Sequence, residues 1–167
     1  MELTGFGEFE GVELLQKLPI FSKLSFDETS RLAAIIQRTG AAEGAVILDQ
    51  NALGDALYVI QDGEVRVSRD VNGDGVHEDW EEIGRLGPGD LFGEMSLVDD
   101  LLTSARVTAL RPCKLLKMPK ADFNRLLAED ERFAVKVYRS FCRTLSDRLR
   151  RANQMLSAKH AHTVGVR

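Results

Sequence analysis

Apolar positions along this chain change their spacing twice, and each change marks a set of elements. Val12 to Lys17 reads as a short helix that Pro19 ends. Ser25-Phe26-Asp27-Glu28 has capping-box spacing, with Ser25 as N-cap and Glu28 reaching back to it. The helix that follows carries Leu32, Ile35 and Ile36 on one face and is predicted to stop near Gly40. From Gly44 the period drops to two. Val46–Leu48 and Ala56–Gln61 read as strands, and Asp62-Gly63 is a tight-hairpin signal. Glu64–Ser68 then alternates, with Val65 and Val67 facing a core. Trp80–Leu86, Arg106–Leu110 and Lys114–Met118 complete the strands. The helical period returns at Pro119, first over Ala121–Leu127 and then from Asp130 to about Ser157. In that last helix Tyr138, Phe141, Leu145, Leu149, Ala152 and Leu156 step by three or four, a stripe suited to a second helix.

Short strands separated by Gly and Pro turns predict an α+β fold. An antiparallel β jelly roll at about 44–118 is flanked by N-terminal helices and by C-terminal helices over 119–157, the last one long. Residues 1–11 read as a flexible N-terminus, 12–157 as one domain, and 158–167 as a patternless tail. The chain has 167 residues, enough for one domain with its own core.

Composition adds exclusions. The chain is 44% hydrophobic and 29% charged, as a globular domain is, and no apolar run approaches the roughly 20 residues of a membrane span. The N-terminal residues lack a signal-type pattern, so a cytoplasmic location is expected. The net charge of −4 gives no overall attraction to nucleic acid. Cys113 and Cys142 have no metal or redox spacing and read as two buried thiols. His77, His160 and His162 join no catalytic arrangement, so no enzyme is expected. Arg139, Arg143, Arg148, Arg150 and Arg151 make the long helix basic and read as a solvated face beside its apolar stripe.

One stretch carries candidate chemistry. Asp90–Leu110 follows the turn Gly87-Pro88-Gly89 and runs through Phe92-Gly93-Glu94, an apolar step, a polar loop and a strand. Glycine followed by the start of a helix is how a backbone aims several N–H groups at one anion.

The residues Gly54-Asp55-Ala56-Leu57-Tyr58-Val59-Ile60 with Asp62-Gly63-Glu64-Val65, and Pro88-Gly89-Asp90 with Phe92-Gly93-Glu94-Met95-Ser96-Leu97, resemble the cyclic nucleotide-binding domain. That domain is the sensor of catabolite activator proteins, protein kinase A regulatory subunits and cyclic nucleotide-gated channels. The resemblance covers roughly residues 12–157. It implies a regulatory module that binds a cyclic nucleotide, cyclic AMP or cyclic GMP, and moves its last helix in response. It implies that Glu94 takes the ribose 2′-hydroxyl and that Gly93, Met95 and Ser96 form the phosphate cradle, with Ser104 lining it. The family's cassette continues Pro-Arg-Ser-Ala-Thr-Val, where this chain has Leu102-Thr103-Ser104-Ala105-Arg106-Val107. Thr103 therefore stands at the phosphate-binding arginine. A hydroxyl gives one neutral donor where arginine gives a charged fork, and losing such a partner costs about 2–5 kcal/mol, which weakens or alters nucleotide binding. Arg106 lies on the strand face of Ser104 and is the nearby candidate for the missing charge.

A second motif is independent of that family. Asp70 to Glu81 fits the calcium-loop pattern, with ligands expected from Asp70, Asn72, Asp74, the Val76 carbonyl, Glu78 and Glu81. The same loop also reads as an acidic hairpin tip, since Asn72-Gly73 and Asp74-Gly75 are turn pairs. Partners expected are a second copy of the chain through the 130–157 helix and a downstream protein. Ten residues follow Ser157, too few for a helix-turn-helix, so no DNA-binding domain is expected. The alternatives to a ligand sensor are a dimerisation or docking scaffold with a degenerate pocket, and a Ca²⁺-binding regulatory domain.

Overall fold

Helix α1 (Glu8–Lys17) and helix α2 (Phe26–Ile35) precede eight strands: β1 (Gln37–Ala41), β2 (Val46–Leu48), β3 (Ala56–Asp62), β4 (Val65–Asp70), β5 (Trp80–Leu86), β6 (Leu91–Phe92), β7 (Arg106–Ala109) and β8 (Cys113–Pro119). Helices α3 (Lys120–Glu129) and α4 (Glu131–Val164) follow. This is a computed structural model, and it describes residues 8–70, 79–95 and 102–164. The strands form two antiparallel sheets, one in the order β1-β8-β3-β6 and the other β2-β7-β4-β5. The result is the expected α+β jelly roll with helices at both ends of the chain.

Strand β3 shows why the layers stack as they do. Ala56 to Ile60 are all buried, although side chains of a strand alternate between faces. Leu57 and Val59 face the helices, packing with Leu15, Phe21, Leu32 and Phe133. Ala56, Tyr58 and Ile60 face the other sheet, packing with Val65, Phe92 and Val107. The sheet containing β3 is thus the middle of three layers, which is why its central strand has a nearly continuous apolar run.

The capping box forms as expected. Glu28 N–H donates to Ser25 Oγ at 3.3 Å, and Ser25 N–H donates to Glu28 Oε2 at 2.7 Å. Glu28 also receives Lys136 Nζ of α4 at 2.8 Å, so the cap residue anchors the long helix. Helix α2 stops at Ile35 instead of near Gly40. Ile36 is extended, and Gln37–Ala41 pairs with β8, so ladder hydrogen bonds replace a further helical turn.

Four further expectations change. Helix α1 begins at Glu8, four residues before Val12. Helix α4 runs through Val164, beyond Ser157, because no Gly or Pro breaks it there. The stripe on α4 is divided: Phe141 is buried in the domain core and stacks on Phe123 with ring centroids 6.1 Å apart, whereas Tyr138 and Leu149 are exposed. Cys142 is also exposed on that helix, and only Cys113 is buried.

Candidate ligand-binding site

Strand β6 positions the cassette. Phe92 pairs with Tyr58 of β3 and stacks on its ring, centroids 5.1 Å apart and planes 9° apart. Gly93 follows with φ +84°, and a Cβ at this position would lie 2.5 Å from the Ala56 carbonyl oxygen. Only glycine satisfies both the left-handed backbone and this close approach. The chain then turns Glu94 inward, where it is 4% exposed. Met95 is half exposed, and Ser96 lies outside the described residues.

Thr103 has a structural occupation. Its hydroxyl accepts from Ala52 N–H at 2.9 Å and donates to the Asp49 carbonyl. Its backbone N–H donates to Ala52 O and its carbonyl accepts from Asn51 N–H, each at 2.9 Å. Asn51 itself has φ +59°, a left-handed conformation that asparagine tolerates. Thr103 thus fastens the end of the cassette to the 49–52 turn, and the residue at the expected arginine position spends its hydroxyl there.

Arg106 is held on the same turn. Its Nε and Nη2 donate to the two Asp49 carboxylate oxygens at 2.7 and 3.2 Å, and its guanidinium lies 3.7 Å from the centroid of the Trp80 ring. The Arg106 hydrogen bond holds the Asp49 carboxyl below its ordinary range, against the opposing effect of burial. The structure does not bring Arg106 together with Gly93 and Glu94.

A different arginine arrives. Arg148 of α4 donates through Nη1 to Glu94 Oε1 and through Nη2 to the Leu91 carbonyl. Both Arg148 and Glu94 line a cavity of about 140 Å³ on the inner face of the β2-β7-β4-β5 sheet. Leu48, Val67, Ile83, Leu86, Phe92 and Val107 supply its apolar walls. Gly93, Met95, Thr103 and Ser104 line its cassette side, and Ser104 Oγ is 3.7 Å from Met95 Sδ. The sequence carried a signal for Arg148. It stands seven residues after Phe141 and eleven after Val137, so helical periodicity places it on the inward face of α4, which it shares with two core residues.

The calcium-loop motif is described only at its ends. Asn72, Asp74, Val76 and Glu78 lie outside the described residues. Asp70 pairs with Trp80 and Arg69 with Glu81 in the β4–β5 ladder, so Asp70 and Glu81 point to opposite faces of the hairpin. The register does not bring the first and last expected ligands together, because Glu81 belongs to a strand and not to an exit helix. Among the described residues no three His, Cys, Asp or Glu side chains cluster as a metal site. No described helix is long and apolar enough to cross a membrane.

The model of the cyclic nucleotide-binding domain matches residues 40–130, which include the jelly roll from the end of β1 onward, the cassette and α3. The chain belongs to the cyclic nucleotide-binding domain family. As such it is similar to the cAMP-dependent protein kinase regulatory subunit of Schizosaccharomyces pombe, 34% identical over 114 residues, 68% of this chain and 26% of that protein. The chain therefore spans about a quarter of that relative. A cyclic nucleotide-binding domain from Methylobacillus flagellatus superposes with TM-score 0.77 at 26% identity, covering 91% of this chain and 83% of the other. Thermus thermophilus catabolite activator protein superposes with TM-score 0.69 at 32% identity, covering 85% and 63%. Cyclic nucleotide-binding domains are regulatory ligand-binding modules, and the family match ends where α4 begins.

Proposed function

We propose that this chain is a non-enzymatic regulatory module in which a ligand taken at Glu94 is reported by movement of α4, with cyclic nucleotide affinity lowered by Thr103. The observation that carries this reading is the ion pair between Arg148 and Glu94. A sugar hydroxyl that donates to Glu94 competes with Arg148 for the same carboxylate. Binding and helix position are then linked, since a ligand shifts a conformational equilibrium by as much as its affinity differs between the two states. The test is calorimetry and hydrogen exchange of α4 with cyclic AMP and cyclic GMP. Binding near the millimolar range is expected, with faster exchange around Arg148 in the complex. No heat, and no change in α4 with either nucleotide at millimolar concentration, would remove the cyclic nucleotide from this reading.

A second reading has its own observation. Val135, Tyr138 and Leu149 are exposed by 42–62% and step by three and eleven along one face of α4. An apolar row of this kind supports a scaffold that pairs with a second copy of the chain.

A further inference from the structure

Charge among the described residues that line the cassette cavity is already balanced. Glu94 brings one negative charge and Arg148 one positive charge, and the other described lining residues are uncharged. Neither group at the cassette exit is at the disposal of an incoming anion. The Thr103 hydroxyl is bound to Asp49 and Ala52, and both arms of the Arg106 fork rest on Asp49. A phosphodiester entering between these walls, where Ile83 and Met95 are half exposed, would leave the described lining with a net negative charge, and a charge partly withdrawn from water without a partner is disfavoured. It would gain a cation only by drawing Arg148 off Glu94, which would strand a carboxylate that is 4% exposed beside the new anion. An uncharged ligand demands no such exchange. Its hydroxyls can donate to Glu94 in competition with Arg148, so the carboxylate stays hydrogen-bonded as the arginine moves and no second anion stands beside it.

We propose that the cavity takes an uncharged ligand with hydroxyl donors on an apolar ring body, the chemistry of a nucleoside, in preference to the corresponding cyclic nucleotide. The inference rests on the ligand-sensing reading of Glu94 and names the ligand class for that site.

Matched pairs isolate the charge. Adenosine against cyclic AMP, and guanosine against cyclic GMP, differ chiefly by the cyclic phosphate and are compared by calorimetry on the full chain. Each nucleoside is expected to bind about tenfold or more tightly than its cyclic nucleotide. Two variants move that ratio in opposite directions, provided thermal melting shows that they fold. Glu94→Gln leaves the cavity net positive and shifts the ratio toward the cyclic nucleotide, whereas Arg148→Gln leaves it net negative and shifts it further toward the nucleoside. Tighter binding of either cyclic nucleotide than its nucleoside overturns the inference and leaves the sensing reading standing. A ratio that neither variant moves overturns the charge balance as its cause. If none of the four compounds binds, the inference falls together with the sensing reading; if only the nucleosides bind, the inference holds and the cyclic nucleotide is removed.

Discussion

The guanidinium of Arg148 closes on the carboxylate of Glu94, joining the terminal helix to the cassette across 54 residues of chain. Glu94 is almost fully buried and Arg148 about one-third exposed at its side chain. Removing the arginine leaves a buried carboxylate without its partner. Arg148→Met is therefore expected to lower stability by about 1–3 kcal/mol, a value reduced from that of a fully buried pair by the exposure of Arg148. Urea unfolding measures it. Adding Glu94→Gln should return part of the loss, and simple additivity of the two substitutions would show that the pair does not couple.

Thr103 yields a second prediction. Thr103→Val keeps the shape and removes the hydroxyl, leaving Ala52 N–H and the Asp49 carbonyl without the partner they share. A loss of about 1–3 kcal/mol is expected, and Thr103→Ser, which keeps the hydroxyl, should avoid most of that loss. Equal stability of the Val and wild-type proteins by chemical denaturation would show that the hydroxyl does not hold the turn. The same contacts mean that Thr103→Arg trades the fastening of the 49–52 turn for a cation, so it is not a simple gain of a phosphate ligand.

Much of this was legible in the residues, for identifiable reasons. Capping at Ser25 and Glu28 is local chemistry, and β4 falls where the period-two alternation of Glu64–Ser68 places a strand. Strand β1 was not legible, because Gln37-Arg38-Thr39-Gly40-Ala41 has little apolar character and is held by its pairing with β8. Strand β6 is two residues long, too short for any period to register. At the site, Gly93 and Glu94 stood out through their local motif, whereas periodicity gives Arg148 only its inward helix face and its contact with Glu94 is made by α4 after folding. The same limit applies to Arg106: alternation gives its strand face, but Asp49 and Trp80 decide where its guanidinium goes.

Gly93 is the least replaceable residue of the cassette. An alanine there would need φ near +84° and would set its Cβ 2.5 Å from the Ala56 carbonyl oxygen, a backbone atom of the central strand that cannot give way. Gly93→Ala is expected to cost roughly 2 kcal/mol or more in unfolding free energy. Gly87→Ala serves as the control, since a Cβ there meets nothing within 4 Å. A similar melting temperature for the two variants would count against the constraint at Gly93.

Acid should weaken the fold through named carboxylates. Asp49 is held below its ordinary pKa by Arg106, and Asp130 by the hydrogen bond from Phe133 N–H. At Glu28 burial acts upward but is outweighed by Lys136 and the Ser25 backbone. A carboxyl whose pKa is lower in the folded state contributes stability that is fully present above its unfolded value of about 4. That contribution is lost as pH falls through the folded values, because the unfolded chain binds more protons in that window. Unfolding free energy is expected to be level near neutrality and to decline below about pH 5. Asp49→Asn should make the decline shallower, and urea titrations at several pH values measure the slope. An unchanged slope would remove Asp49 from the set, as its half-exposed side chain makes its share small.

The proposed self-association through α4 can be tested apart from folding, because the exposed row and the core residues lie on different faces of one helix. Phe133, Val137 and Phe141 are buried in the domain core, while Tyr138 and Leu149 are exposed. Replacing both exposed residues by glutamate removes apolar area from a helix–helix contact and places like charges across it, yet disturbs no core packing. The Tyr138→Glu, Leu149→Glu variant is expected to sediment as a monomer with a thermal transition that no longer depends on protein concentration. Phe141→Ala should do the reverse. It opens the core at the stack on Phe123 and lowers stability by about 3–5 kcal/mol, while leaving the exposed row in place. Sedimentation of both variants across a range of concentrations decides the matter. A dimer that survives the double glutamate substitution would place its interface on another surface, and a monomeric wild type would remove the scaffold reading.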